Sequence, residues 1–245
     1  LRDYLVYFRD ETRKRFDAGL GFEEAARDIA FGKLMNAGQT CIAPDYVLVE
    51  RSRMEALATA LMEQVEAFYP ARSASSQYTS IVGERGYGRL TQAIEEEGLP
   101  VSSCFDGDHA CDGSAGGQFL DPPADCHLME EEIFGPILPI VPYDRLEDAL
   151  TFIRARPRPL ALYVFTHDGD IEKQALSGTI SGNVTVNGTL LHIAQNDLPF
   201  GGVGPSGMGA YHGYEGFKRF SHARGIAKVR LFNPARFAMP PYGRI

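Results

Sequence analysis

The sequence predicts an α/β sandwich built around a parallel sheet, and three observations carry that reading. Short apolar runs alternate with amphipathic stretches, so successive strands are separated by helices and joined by parallel crossovers. One run, Leu160-Ala161-Leu162-Tyr163-Val164-Phe165, is apolar throughout, as expected of a strand buried on both faces. The apolar fraction, 44% of 245 residues, is ample for the core of one large domain or two small ones.

In chain order, residues 3–16 read as a charged, weakly amphipathic helix carrying Leu5, Phe8 and Phe16, broken by Asp17 to Gly21. Phe22 to Ala37 reads as a second helix, with Glu23 and Glu24 in the first turn, where they complement the helix dipole. Tyr46 to Val49 is a short β run. Met54 to Phe68 is a helix with Leu57, Leu61, Val65 and Phe68 on one face. Ser73 to Gln77 is a polar loop, Ile81-Val82 a short strand, and Glu84 to Glu97 a helix. Val101 to Phe119 is rich in Gly, Ser and Asp without periodicity and reads as a surface loop. Ile137 to Val141 is a strand. Leu146 to Arg154 is a helix that Arg156-Pro157-Arg158-Pro159 ends. After the strand at 160–165 come a helix from Asp170 to Ser177 capped by Gly178 and a strand from Asn183 to Asn187. A short helix from Tyr214 to Phe220 precedes a Pro-containing tail.

A net charge of −8, with no basic stripe, argues against a nucleic-acid partner. No apolar run approaches the roughly 20 residues of a membrane helix, so no membrane partner is expected. Leu1-Arg2-Asp3-Tyr4 is not a signal peptide, and the missing initiator Met predicts a chain that begins inside a longer one or has had leading residues removed. Cys41, Cys104, Cys111 and Cys126 form no CxxC or zinc spacing, so no metal site is expected, and a cytoplasmic location with reduced thiols follows. The sequons at Asn183 and Asn187 fall in a strand and its turn and read as chance matches.

The chemistry centres on Gly32-Lys33-Leu34-Met35-Asn36-Ala37-Gly38-Gln39-Thr40-Cys41. Gly38 is suited to the left-handed conformation that ends a helix, and Pro44 prevents immediate continuation of a regular ladder. A thiol held on such a turn sits among backbone N–H groups, and the thiolate is the reactive form. The alternative is a buried structural cysteine. Two further motifs follow, Glu130-Glu131-Glu132-Ile133-Phe134-Gly135-Pro136 and Leu198-Pro199-Phe200-Gly201-Gly202-Val203-Gly204-Pro205-Ser206-Gly207-Met208-Gly209. The second contains G-x-G-x-x-G, but no strand runs directly into it and no acidic residue sits about 20 positions on, so it is not read as a dinucleotide fingerprint.

These three motifs, in this order, resemble the NAD(P)-dependent aldehyde dehydrogenases. Within them the match is to the branch acting on aromatic and longer aliphatic aldehydes, nearest the coniferyl aldehyde dehydrogenases. The resemblance covers roughly residues 20–243 and implies the family's three-layer, parallel-sheet catalytic domain over 20–245. Residues 1–19 stand apart as an N-terminal helix, without the strand and Leu-Glu-Leu-Gly-Gly turn that precede the nucleophile helix in the family. The resemblance does not extend to the family's dinucleotide-binding domain, which is expected to lie outside the matched residues. By resemblance, Cys41 is the nucleophile, forming a thiohemiacetal and then a thioester that water hydrolyses. Glu132 holds the nicotinamide ribose hydroxyls and Phe134 flanks the ring, so the cofactor is NAD or NADP where an intact site is supplied. Phe200 lines the aldehyde pocket. Asn187 is a supporting residue that orients the active-site loop. His192 and His212 read as core or loop histidines. The family's water-activating glutamate lies in the absent turn, and its role does not transfer to Glu23 or Glu24. The implied partners are a small-molecule aldehyde and further copies, as a homodimer or higher oligomer. Two rivals stand beside this reading: a non-catalytic remnant that folds and oligomerises without cofactor, and a cofactor-free thiol esterase using Cys41 alone.

Overall fold

The strands of this protein alternate their side chains between two separate cores, and that alternation fixes the layering. A computed structural model describes residues 7–8, 20–70, 78–97, 102–103 and 117–240. The strands are β1 (Tyr7–Phe8), β2 (Val47–Glu50), β3 (Ser102–Ser103), β4 (Gly117–Leu120), β5 (Ile137–Tyr143), β6 (Ala161–Phe165) and β7 (Asn183–Val186). The helices are α1 (Leu20–Leu34), α2 (Met54–Phe68), α3 (Gly83–Glu97), α4 (His127–Glu130), α5 (Leu146–Arg154), α6 (Gly169–Gly178), α7 (Leu191–Ala194) and α8 (Gly213–Arg219).

The strands form two sheets, ordered β1-β6-β7 and β2-β5-β4-β3. All pairings are parallel except β3 with β4, which is antiparallel. The registers include Val47↔Ile140, Gly117↔Ile137 and Ala161↔Asn183. β1 runs beside β2, which brings the two sheets edge to edge. Val47 and Val49 of β2 join Leu138 and Ile140 of β5 and Ala161, Tyr163 and Phe165 of β6 in one core, under α1 and α2. The intervening Leu48, Ile137, Val141, Leu162 and Val164 join the other core, under α3, α5 and α6. A period of two along each strand therefore gives three layers, helices on both faces of the strands, as the fold class requires. Each fully buried Leu or Ile in these cores contributes about 1.5–3 kcal/mol.

Helix starts follow local chemistry. Asp168 caps α6 by accepting from the Asp170 and Ile171 N–H groups at 2.8 and 3.2 Å. Asp148 reaches back to the Arg145 N–H at 3.0 Å, closing the first turn of α5.

Four sequence expectations need correction. Tyr7–Phe8 is a strand, where a helix over 3–16 is predicted; the Tyr-Phe pair has β propensity, and β6 supplies the pairing edge. The rest of that helix lies outside the described residues, as do the Ser73–Gln77 loop, Cys104 and Cys111. Ile81-Val82 is not a strand: Val82 is exposed, and its N–H donates to the Gln39 Oε1 at 2.7 Å instead of to a ladder. The stretch read as a loop over 101–119 holds β3 and the start of β4. The Phe22–Ala37 helix ends early, at Leu34, in a turn with left-handed residues.

Candidate active site

That turn is the first part of the site. Asn36, Ala37 and Gly38 have φ of 53°, 53° and 72°, three consecutive left-handed residues. Such a run is costly for non-glycine residues and persists only where surroundings over-determine it. Gln39 does much of that. Its amide Nε2 donates to the Asn36 carbonyl at 3.0 Å and the Ser80 carbonyl at 3.1 Å, while Oε1 accepts from Val82. Asn36 Nδ2 in turn donates to the Gln39 carbonyl at 3.0 Å. Downstream, the Ala43 N–H donates to the Thr40 carbonyl at 3.0 Å, closing a turn around Cys41. The Tyr163 hydroxyl, at the centre of β6, donates to the Ile42 carbonyl at 2.7 Å. Cys41 is thus half-buried against the α1/α2 core, on a turn tied from both sides.

The Glu132 motif lies directly against this turn. A Cβ on Gly38 would meet the Gly135 carbonyl oxygen at 2.3 Å, so the two backbones touch where no side chain fits. Asp45, buried four residues after Cys41, accepts the Ile133 N–H at 3.0 Å. From α3, Arg89 donates to the Glu132 carbonyl at 3.4 Å and to the Ile133 carbonyl. The Glu132 carboxyl is pushed above the usual carboxylate range by burial, with Asp45 adding to the rise and Arg89 and Lys33 opposing it. Lys33 lies eight residues before Cys41, so the charges around Glu132 come partly from α1.

Glu132 and Phe134 line a cavity of about 610 Å³ together with Arg89, Arg158, Pro205 and Ser206. Phe134 sits at φ 43° with its ring 44% exposed. The glycine-rich motif therefore meets the Glu132 motif in space. Its own shape comes from a tight turn in which Ser206 Oγ accepts the Val203 N–H at 2.9 Å and lies 3.2 Å from the Val203 carbonyl. Cys41 is outside this cavity's lining and is connected to it through Gly38 and Gly135.

Phe200 is buried, with ring centroids 5.8 Å from His192 and 6.0 Å from His212. Its backbone pairs with Tyr211 in both directions at 2.9 Å. Asn187, at φ 54°, clamps the ends of β6 and β7: Oδ1 accepts the Thr166 N–H and Nδ2 donates to the Thr166 carbonyl, both at 2.8 Å. The next turn reaches α1, where Thr189 Oγ1 donates to the Asp28 carbonyl at 2.7 Å. Glu23 and Glu24 lie exposed on α1.

His192 is buried, with Nδ1 2.8 Å from Thr185 Oγ1 and Nε2 buried without a hydrogen-bond partner among the described residues. Burial lowers its pKa to about 4. Unfolded histidine titrates near 6.5, so between about 4 and 6.5 the unfolded chain binds the extra proton. Stability is expected to fall as pH drops from 6.5 toward 4. In His192→Gln that slope should shrink, as read by thermal melts across the range.

The sequence points to Cys41, Glu132, Phe134, Phe200 and Asn187 as candidates and does not single out Asp45, Gln39 or Arg89, whose hydrogen bonds run to partners distant in the chain. The one local signal was Asp45, a buried acid in Pro44-Asp45-Tyr46 leading into an apolar strand. Among the described residues, no cluster of three His, Cys, Asp or Glu could hold a metal, and no helix is long and apolar enough to cross a membrane.

Comparison with known proteins places these motifs in context. The aldehyde dehydrogenase family model matches residues 17–226. A probable coniferyl aldehyde dehydrogenase of Pseudomonas aeruginosa is 48% identical over 233 residues, 91% of this chain and 47% of that protein. Aldehyde dehydrogenase family 3 member A2 of Rattus norvegicus is 42% identical over 209 residues, 85% of this chain and 43% of that protein. The substrate-bound Staphylococcus aureus AldH structure superposes with a TM-score of 0.82 at 35% identity, covering 98% of this chain and 51% of that one. A Mycobacterium tuberculosis aldehyde dehydrogenase complexed with NAD+ gives 0.73 at 25% identity, covering 89% and 44%. The chain spans about half the length of the curated relatives it matches.

Proposed function

Because this chain belongs to the aldehyde dehydrogenase family, we propose that it supplies the catalytic half of an NAD(P)-dependent enzyme that oxidises an aromatic or aliphatic aldehyde, coniferyl aldehyde among them, to the carboxylic acid. The observation that carries this reading is the direct packing of the Cys41 turn on the Glu132 motif at Gly38 and Gly135. Cys41 is the nucleophile. Its thiolate sulfur bonds to the aldehyde carbonyl carbon, and the carbonyl oxygen takes the electron pair as a thiohemiacetal oxyanion. The Cys41 backbone N–H would donate to that oxyanion. Glu132 and Phe134 would hold a nicotinamide nucleotide, whose chemistry would be to take up the hydride leaving this carbon. The resulting thioester on Cys41 is attacked by water, releasing the acid and the thiolate.

Glu132 and Phe134 suit the cofactor. A half-buried carboxyl accepts two ribose hydroxyl bonds, and an exposed ring beside it offers a flat face, both on one cavity. Phe200 forms the wall of the aldehyde pocket through its stack with the two histidines. Asn187 is a positioning residue that ties β6 and β7 below it. The assembly is a homodimer or higher oligomer in the cytoplasm, to be read by light scattering and fractionation. The test is NADH absorbance on mixing the chain with NAD and coniferyl aldehyde. Formation of NADH in step with aldehyde loss supports the dehydrogenase. A flat trace from folded protein favours the remnant, and ester hydrolysis indifferent to NAD favours the esterase.

A further inference from the structure

We propose that Asp45 is a positioning residue that locks the Glu132 segment to the nucleophile segment. The inference rests on the reading of Glu132 as the ribose-holding carboxyl. Asp45 belongs to the Cys41 stretch in sequence and to the Glu132 motif in space. Its side chain is 4% exposed, and Oδ1 accepts the N–H of Ile133, the residue after Glu132, at 3.0 Å. Arg89 holds the carbonyls of Glu132 and Ile133 from the opposite direction, on α3. The peptide carrying Glu132 is thus gripped through its donor by the nucleophile segment and through its acceptors by α3. Gly38 and Gly135 close the gap between the two segments. Without the Asp45 acceptor, the Ile133 N–H is left buried without that bond, and the Glu132 segment loses a hydrogen bond to the Cys41 stretch.

The experiment compares Asp45→Asn and Asp45→Ala in the full chain. Asparagine keeps a carbonyl oxygen for Ile133; alanine removes it. In Asp45→Ala the Ile133 amide is expected to exchange with deuterium about tenfold faster, and NADH to bind about tenfold more weakly by fluorescence titration. Alkylation of Cys41 by iodoacetamide should stay within about twofold, since the Tyr163 and Gln39 ties remain. Asp45→Asn should resemble the unaltered chain in all three. Unchanged Ile133 exchange in Asp45→Ala overturns the proposal. So does an asparagine variant as loosened as alanine, or acceleration spread equally through α3 and β5. If the unaltered chain binds no NADH, the cofactor reading falls and takes the affinity arm with it, while the exchange arm still decides the lock.

Discussion

Cys41→Ala is expected to abolish aldehyde-dependent NADH formation, a loss of at least about 10³-fold, while leaving the fold intact. The loss follows from the bond-making step: no other group near the turn replaces a thiolate. Cys126 is buried in the core on the other side of the strands, and Thr40 lacks an acidic enough hydroxyl. The survival of the fold follows from how the turn is held. Gln39, Ala43, Ile42 and Tyr163 supply its hydrogen bonds through groups other than the Cys41 side chain. Losing one half-buried sulfur costs on the order of 1 kcal/mol, small against the 5–15 kcal/mol of an ordinary domain. NADH absorbance and a thermal melt on the same sample check both halves. Undiminished turnover in the variant would move the chemistry to another residue.

Gly38→Ala should do the reverse, harming the fold and the site together. The new methyl group would stand 2.3 Å from the Gly135 oxygen and 2.6 Å from its carbonyl carbon, and both are backbone atoms. A φ of 72° adds strain of about 1 kcal/mol for a residue with a Cβ. Overpacking against a fixed backbone adds about 1–3 kcal/mol. The sum, about 2–4 kcal/mol, lowers the melting temperature by roughly 5–15 °C for a chain of this size. Relief requires the Glu132 motif to move off the Cys41 turn, so any NADH binding should weaken as well. Gly88→Ala is the control, because a Cβ there meets nothing within 4 Å; it should be neutral or slightly stabilising. Equal melting temperatures for the two variants would refute the close-contact account.

What the sequence exposed was whatever its own neighbours dictate. The helices Met54–Phe68 and Leu146–Arg154 match their predicted bounds because an apolar face and clear stop signals are local. The all-apolar run ending at Phe165 is a strand for the same reason. β4 escaped notice because a Gly-Gln start inside a Gly- and Ser-rich stretch gives no alternation; its Gln118 is buried by donating to the Ala58 carbonyl on α2 at 3.2 Å. Tyr7–Phe8 needed the edge of β6, more than 150 positions away, to become a strand. The site divides in the same way. Cys41 and Glu132 stand inside local motifs that single them out as candidates, whereas the ties of Gln39 to Ser80 and of Asp45 to Ile133 exist only after the chain has folded.

The raised pKa of Glu132 has a consequence for selection. A carboxyl whose folded pKa lies above its unfolded one weakens the fold as pH rises through that interval, and at neutral pH its charge counts against folding. Glu132→Gln removes that charge and also the carboxylate proposed to hold the ribose. On that reading, a library sorted for heat resistance alone is expected to tolerate Glu132→Gln at the cost of the proposed cofactor site, as sequencing of the sorted pool would read. Selection for stability and selection for the proposed chemistry therefore pull against each other at this one carboxyl.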